Sequence, residues 1–510
     1  MTYKKIIKAT SIFASMTLVS RILGFARDTV VAQLFGASAA VDAFYIAFKI
    51  PSFLRGVAEG PFSQVFVPVL SEYRQTRSHE AVRSLISAVS GVMGSVLLII
   101  MVLGIVGAEQ WLKVVTPGLD PERLQLARDF LRITFPYLPL ISLAALGVAV
   151  MNAYSLFWGA ALVPIWLNIS LIGTALGFSH YFSVAVTAQA WGVLLAGFAQ
   201  LLFTLPFLKY AGLLTWPRLD WKDPGVRKIL KLMGPAFLGA SASQIGLLIN
   251  TGLASFLPAG SITWLYYADR IVYFPLSVFG IALSTAMLPA LSQQYASGDR
   301  QAFNSTLGWS LCSNLLIGLP AAITMGLLAG PLVVSLFAYG QFTSFDVLQT
   351  QQAVLGYALG VPAFMLSKAL GAAFYAQQDI QTPVKVLFLV MIINIILGIV
   401  LVPGLKQGGI TLASSLSTWV QVALLWYWLQ RPAHTLMSLA GWKRWGLALF
   451  AANSILILFL YWATPILDYW LQWNWVARLS ALSSLGLVAI LLYSGMLRLN
   501  GLRPRDIVGN

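Results

Sequence analysis

Residues 47–71 read AFKIPSFLRGVAEGPFSQVFVPVLS, and residues 268–292 read ADRIVYFPLSVFGIALSTAMLPALS. Sliding the chain by 221 residues superimposes Ala47, Lys49, Ile50, Phe53, Val57, Ser63, Pro68, Leu70 and Ser71 on Ala268, Arg270, Ile271, Phe274, Val278, Ser284, Pro289, Leu291 and Ser292 without a gap. Apolar segments match one another easily by chance, but a cation on a cation (Lys49, Arg270) and a proline on a proline (Pro68, Pro289) are harder to obtain that way. The chain repeats itself, and an internal repeat decides how the rest is read.

Working outward, apolar runs of about 20 residues, the length of a bilayer crossing, begin near residues 9, 40, 83, 124, 157, 183, 228, 261, 306, 347, 382, 408, 442 and 476. Connections such as Gly36 to Ala40, Pro258 to Ser261 and Val402 to Gly408 are short. Only 10% of the residues are charged and 58% are hydrophobic, against roughly a quarter charged in a soluble domain. The mean hydropathy is +0.80. These features predict an all-α polytopic membrane protein of about 14 transmembrane helices. Met1 to Ser20, with Lys4, Lys5 and Lys8, reads as the cytoplasmic start of the first span rather than a signal peptide, because Arg21 interrupts the apolar run.

Six spans separate the two copies, so they share an orientation, which is the parallel repeat of a two-lobed transporter. The expected lobes are 1–221 (spans one to six) and 222–432 (spans seven to twelve). The basic loop Lys209 to Lys231 lies between them as a linker, and 433–510 is an added pair of C-terminal helices.

The formal charge is +15, and the positions of the 32 basic residues matter more than their sum. With the N-terminus inside, Lys4, Lys5, Lys8, Arg74, Arg77, Arg83, Lys209, Arg218, Lys222, Arg227, Lys228, Lys231, Arg300, Lys385, Arg431, Lys443, Arg444, Arg498, Arg503 and Arg505 fall on the cytoplasmic side. Lys113, Arg123, Arg128, Lys406 and Arg478 fall outside. That asymmetry sets topology, with both termini cytoplasmic, and removes the case for nucleic acid. Trp462, Trp470, Trp473 and Trp475, around Asp468, read as an interfacial aromatic belt. The single Cys312 and the scattered His79, His180 and His434 form no metal-ligand pattern.

Arg21, Arg27, Lys49, Arg55, Arg270 and Lys368 remain at membrane depth, with Arg132 near an outer end. Each costs on the order of 2.5–3.5 kcal/mol at a helix centre, so the set needs partners, water or ligand. Spacing puts Arg21 and Asp28 on one helical face, Asp42 and Lys49 on another, and makes Arg55 and Glu59 an i, i+4 pair. Gly24 and Pro51 are the points where the first two spans are expected to bend or open. In the first two spans four cations face three anions, and Arg270 and Lys368 add two more against Asp269. Surplus guanidiniums imply an anion from outside the chain, and their geometry suits a phosphate or pyrophosphate. The bland alternative for Asp42, Glu59 and Asp269 is a set of internal salt bridges that fix helix register. Asn250 and Asn394 read as interhelical glue. No GxxxxGK[ST] loop occurs, so transport is expected to draw on the membrane potential, an ion gradient or downstream consumption of product, with no cofactor.

The run Ser20-Arg21-Ile22-Leu23-Gly24-Phe25-Ala26-Arg27-Asp28, then Asp42-Ala43-Phe44, Phe48-Lys49-Ile50-Pro51, Leu54-Arg55, Glu59-Gly60 and Phe62-Ser63, closely resembles the MurJ (MviN) lipid II flippases of the multidrug/oligosaccharidyl-lipid/polysaccharide exporter superfamily. Trp264 to Arg270 and Gln378 to Lys385 extend the resemblance. It implies two six-helix lobes around a central cationic cavity, plus two C-terminal helices that form a groove for a lipid tail. The implied activity is alternating-access transfer of undecaprenyl-pyrophosphate-linked disaccharide-pentapeptide to the outer leaflet of the bacterial cytoplasmic membrane, without covalent chemistry.

Carried over by position, the resemblance assigns substrate binding to Arg21, Arg27, Asp28, Asp42, Arg55 and Arg270, with Ser20, Lys49, Glu59, Asp269 and Lys368 as a second tier. Lipid II, membrane lipids and cell-wall synthases are the expected partners of a monomer that binds no metal. Some relatives bind sodium through acidic ligands, and no intramembrane carboxylate occurs in spans seven or eleven here. The alternatives are a flippase for another polyprenyl-pyrophosphate-linked oligosaccharide, a drug antiporter of the same superfamily, a membrane enzyme acting on lipid-linked sugars, or a structural scaffold. Short outer loops without paired acids and a histidine disfavour the enzyme.

Overall fold

A computed structural model describes residues 3–430 and 442–501. Arg431, His434, Arg503 and Arg505, and the expected boundary at 432/433, lie outside the described residues. Among those residues all regular structure is helical, as the recurring span-length apolar runs predict. The first unit, Met1–Thr263, contains α1 (Tyr3–Phe35), α2 (Ala39–Thr76), α3 (His79–Val106), α4 (Ala108–Val115), α5 (Pro121–Thr134), α6 (Tyr137–Ala153), α7 (Phe157–Leu162), α8 (Ile165–Phe178), α9 (Thr187–Tyr210) and α10 (Pro224–Ser255).

Several expected spans are built from two pieces. α5 with α6, and α7 with α8, each give one apolar crossing, Pro121–Ala153 and Phe157–Tyr181. Pro136 and Pro164 sit at the joints as N-caps, where a missing N–H costs nothing. α1 runs unbroken through Gly24, and α2 runs unbroken through Pro51, Pro61 and Pro68. The two expected hinges are therefore closed helix in this conformation.

The helices of this unit alternate direction, because their connections collect at two ends. At one end Asp42 and Arg123 bond to each other and to the 256–260 turn, and Gly118 N donates to Ser255 Oγ at the end of α10 (3.0 Å). At the other, Arg74 Nη1 donates to the Ala153 carbonyl (2.6 Å) and Lys228 pairs with Glu72 (2.6 Å). The Lys209–Lys231 segment is pinned at this second end. Arg218 N donates to the Ser87 carbonyl (2.9 Å), Ser87 Oγ donates to the Trp216 carbonyl (2.6 Å), and Asp223 caps α10 through the N–H groups of Gly225 and Val226. A Cβ on Gly91 would run into the Arg218 backbone, so only glycine admits this close approach. α10 packs on α2 and α3, so the helix that follows the linker belongs with the first unit.

In lipid no hydrophobic force drives one helix onto another, so interior packing has to hold them. Here Phe62, Phe66 and Leu70 of α2 interlock with Leu85 and Val89 of α3, Leu146 and Val150 of α6, and Ile229 of α10.

The second unit, Trp264–Asn510, contains most of α11 (Ser261–Pro275), a π-helical turn at Leu276–Ile281, α12 (Ala282–Ala296), α13 (Arg300–Leu327), α14 (Ala329–Phe337), α15 (Ser344–Ala358), α16 (Val361–Ala376), α17 (Gln381–Gln430), α18 (Trp442–Ala463), α19 (Leu467–Gln472) and α20 (Trp475–Leu499). α17 is two helices folded back at Lys406 (φ 49, ψ −129). Among the described residues nine helices are long and apolar enough to cross a membrane, ten with the bent α15–α16 pair. α1, α2 and α10 carry more polar sequence and fall outside that set.

Two expectations in the C-terminal pair change. Trp470 is fully buried against Trp473 (5.1 Å between centroids), whereas Trp462 and Trp475 are exposed. The four tryptophans are thus part core and part surface rather than one belt. Arg478, assigned to an outer loop, is buried and donates to the carbonyls of Val334, Ala338, Trp470 and Leu471. It closes the end of α14 onto α19, using a cation where helix carbonyls lack partners.

Candidate functional site

The charged residues of the first unit sort into three groups. The first is on α1. Arg27 and Asp28 are buried, at 7% and 2% exposure. Arg27 Nε and Nη2 both donate to Asp28 Oδ1 (2.9 and 2.6 Å), and Nη1 donates to Asn168 Oδ1 of α8 (3.1 Å). Asn168 Nδ2 in turn donates to the Ser20 carbonyl (3.2 Å), so one amide ties α8 to both ends of the motif. Helical spacing paired Arg21 with Asp28, but the structure gives Asp28 to Arg27. Adjacent helical residues point apart, yet the long arginine stem folds back and reaches the nearer carboxylate. In a low-dielectric interior the close pair prevails.

The second group is on α2. Arg55 Nε donates to Glu59 Oε2 (3.0 Å), the i, i+4 pair expected, and Nη1 donates to Tyr137 Oη of α6 (3.2 Å). Tyr137 Oη donates to Gln200 Oε1 of α9 (3.3 Å), and Gln200 Nε2 to the Val163 carbonyl at the joint before α8 (3.1 Å). This chain ends beside the helix that carries Asn168. The Arg55 and Glu59 side chains keep 36% and 23% of their exposure, so they are oriented but not sealed.

The third group is a different kind of structure. Asp42 has zero exposure and accepts from Gly260 N (2.7 Å), Thr263 N (2.8 Å) and Thr263 Oγ1 (2.6 Å), with Arg123 Nη1 at 3.8 Å. Arg123 also donates to Asp120 and to the Leu257 carbonyl (3.1 Å). Asp42 thus caps the start of α11 and neutralises a buried arginine. It acts as a lock here, and its carboxylate takes these partners in place of the Lys49 expected from spacing. Arg123, sorted as a topology residue, is the lock's counterion. Beside it Asp120 caps α5, and the backbone N–H of Arg123 holds its carboxyl below the usual carboxylate range.

In the second unit Arg270 Nη2 donates to Tyr266 Oη (2.6 Å), and its guanidinium lies 4.6 Å from that ring's centroid. Asp269 is the next residue toward the N-terminus, and Lys368 sits exposed on α16. The π-helical turn after Pro275 falls within the same span; such turns loosen a helix and recur at functional positions. No group of three or more His, Cys, Asp or Glu side chains suited to a metal occurs among the described residues.

Asn168, Tyr137 and Gln200 were missed by sequence reasoning. Their signal was present, since each is a polar group in an otherwise apolar helix, the same signal that singled out Asn250 and Asn394.

The helical arrangement, with its buried cations, is that of a multi-span membrane transporter. A multidrug resistance MATE family transporter of the MOP superfamily, solved in an inward-facing conformation, superimposes with a TM-score of 0.69 over 82% of this chain and 96% of that one, at 14% identity. At that identity the likeness is one of fold. A solved structure described as "Lipid II flippase MurJ, inward closed conformation" matches with a TM-score of 0.79 over 98% of this chain and 99% of that one, at 25% identity. A Vibrio cholerae protein described as "Probable lipid II flippase MurJ" is 38% identical over 99% of this chain and 98% of its own length. The family model for lipid II flippase MurJ matches residues 31–483, and the chain belongs to that family.

Proposed function

We propose that the chain moves lipid II from the inner to the outer leaflet of the bacterial cytoplasmic membrane by alternating access, with the guanidiniums of α1 and α2 binding the pyrophosphate. It is a transporter and makes or breaks no covalent bond. The observation that carries this reading is the state of Arg27 and Arg55: each donates to a carboxylate on its own helix and to a neutral acceptor on a neighbouring one. Such arginines are pre-positioned, so little side-chain freedom is lost when an anion arrives.

Arg21, Lys49, Arg270 and Lys368 extend the cationic surface along the substrate's route, with Glu59 and Asp269 setting local charge. Both termini lie in the cytoplasm, following the basic loops. The protein works as a monomer, delivers its product to cell-wall synthases, and is biased by the membrane potential or an ion gradient. A potential of 100 mV acts on each moved charge with about 2.3 kcal/mol. A drug-cation antiporter of the same fold would favour acidic and aromatic walls, and the balance of charge here is cationic.

The test is depletion in native cells, followed by an externally added enzyme that cleaves lipid II only from the outer face. The cleaved fraction should collapse while lipid II accumulates. Wild type should restore it, and Arg55→Ala and Arg270→Ala at normal abundance should not. Unchanged cleavage in cells without a redundant flippase would show that lipid II is not the cargo.

A further inference from the structure

A cavity of about 200 Å³ lies in the first unit between α2, α3, α6 and α10. Its walls are apolar apart from Glu59 and Ser142, and its mouth is rimmed by Val96, Leu230 and Phe237, which are exposed. An aqueous vestibule would carry a polar rim; an apolar rim midway along membrane-crossing helices suits an opening to acyl chains. Glu59 Oε1 and Ser142 Oγ are both buried, line this one cavity, and have no hydrogen-bond partner among the described residues. Ser142 itself is only 5% exposed. Two buried polar atoms without partners in one apolar pocket are costly, and each calls for a specific complement.

We propose that this crevice binds a neutral single-chain lipid alcohol whose hydroxyl donates to Glu59 Oε1 and accepts from Ser142 Oγ. The chemistry of the two atoms selects that class. An ionised carboxylate only accepts, whereas a serine hydroxyl both donates and accepts, so one ligand hydroxyl satisfies both. A plain hydrocarbon satisfies neither. A phosphate or carboxylate headgroup meets the Glu59 carboxylate. An ammonium meets a carboxylate whose other oxygen already accepts from Arg55 Nε. The hydrocarbon tail lies between α3 and α10 against Met93, Leu97 and Met233.

Occupancy is linked to transport through Glu59. A hydroxyl bonded to Oε1 draws on the charge that Oε2 offers Arg55, and so loosens one of the arginines assigned to pyrophosphate. That consequence rests on the flippase reading; the binding itself does not, and the experiment reads binding alone.

The full chain is placed in phosphatidylcholine nanodiscs with palmityl alcohol bearing a mid-chain diazirine, irradiated, and mapped by peptide mass spectrometry. Labelling is expected on the α3 and α10 peptides at the cavity mouth. Unlabelled palmityl alcohol should compete about tenfold better than hexadecane, the factor expected from one buried hydrogen bond. Ser142→Ala should erase most of that preference while the chain still binds, and Met93→Trp, which fills the cavity, should abolish labelling in protein that elutes normally by size exclusion. Equal competition by alcohol and alkane would overturn the proposal, leaving a lipid-filled gap. Labelling that persists in Met93→Trp would overturn it too.

Discussion

Two sets of buried charges stand on the same helix of the first unit and behave differently. At the start of α2, Asp42 is sealed from solvent and saturated by two backbone N–H groups, a hydroxyl and Arg123. Further along α2, Arg55 and Glu59 pair with each other, keep part of their surface, and lean on the neutral Tyr137. The Arg27–Asp28 pair of α1 lies between these extremes, buried like the lock but anchored to a neutral amide like Arg55. Saturation, more than burial, separates a charge that holds the fold from one that is available to a ligand. An intramembrane ionisable residue is by default a functional candidate, and the saturation of Asp42 gives that residue a structural task as well.

The sharpest way to break the comparison is Asp42→Ala. It leaves Arg123 buried beside orphaned N–H groups, a loss on the order of 3–5 kcal/mol, comparable with the whole margin of a marginally stable protein. The protein is expected to be scarce in membrane immunoblots, with Asp42→Asn intermediate because one amide oxygen can still accept from Thr263. Normal abundance with lost flipping would place Asp42 among the working charges after all.

Arg27→Ala comes next, at about 3 kcal/mol, because it removes the buried guanidinium that donates twice to Asp28 Oδ1. Loss of activity in the single variant therefore confounds stability with function. The double variant Arg27→Ala/Asp28→Ala removes both charges and should regain abundance without regaining flipping. The gap between the double and the sum of the singles measures the pair.

Arg55→Ala should cost roughly 1–2 kcal/mol, less than Arg27→Ala because its side chain is partly solvated, but more than an exposed pair because Glu59 loses its donor. Near-normal abundance with little flipping is the expected result, read by immunoblot beside the outer-face cleavage assay. A large fall in abundance would move Arg55 into the structural set.

The sequence showed much of this in advance. Composition and span length made the chain helical and membrane-spanning, and the cations that survived removal of the loops fell on α1, α2, α11 and α16. What it could not show was which anion each cation takes. Asp28 accepts from the adjacent Arg27, which helical spacing would point elsewhere, because a flexible stem chooses in three dimensions. Asp42 goes to Thr263, the very position that the 221-residue offset relates to it. Periodicity reports the face a residue occupies but not what crosses from another helix, so Asn168, Tyr137 and Arg478 stayed hidden although each is an ordinary polar anomaly in an apolar setting. The unbroken helices at Gly24 and Pro51 teach the same lesson: a residue that permits a bend does not impose one.

The smallest effect sharpens the comparison at its edge. Asp120 touches the lock through Arg123 but is itself 48% exposed, so it should behave as a helix cap and not as part of the sealed group. Asp120→Ala is expected to cost about 1 kcal/mol, the value of a lost N-cap, with transport retained. Because the Arg123 backbone N–H holds the Asp120 carboxyl below the usual carboxylate range, its contribution is present above the unfolded pKa of about 3.9. It is lost as pH falls through the lower folded value. Thermal unfolding of the purified protein should therefore separate wild type from Asp120→Ala at pH 7, with the difference closing only in strong acid. A difference that closed near pH 6 would place the titrating group in the sealed cluster and not at its exposed rim.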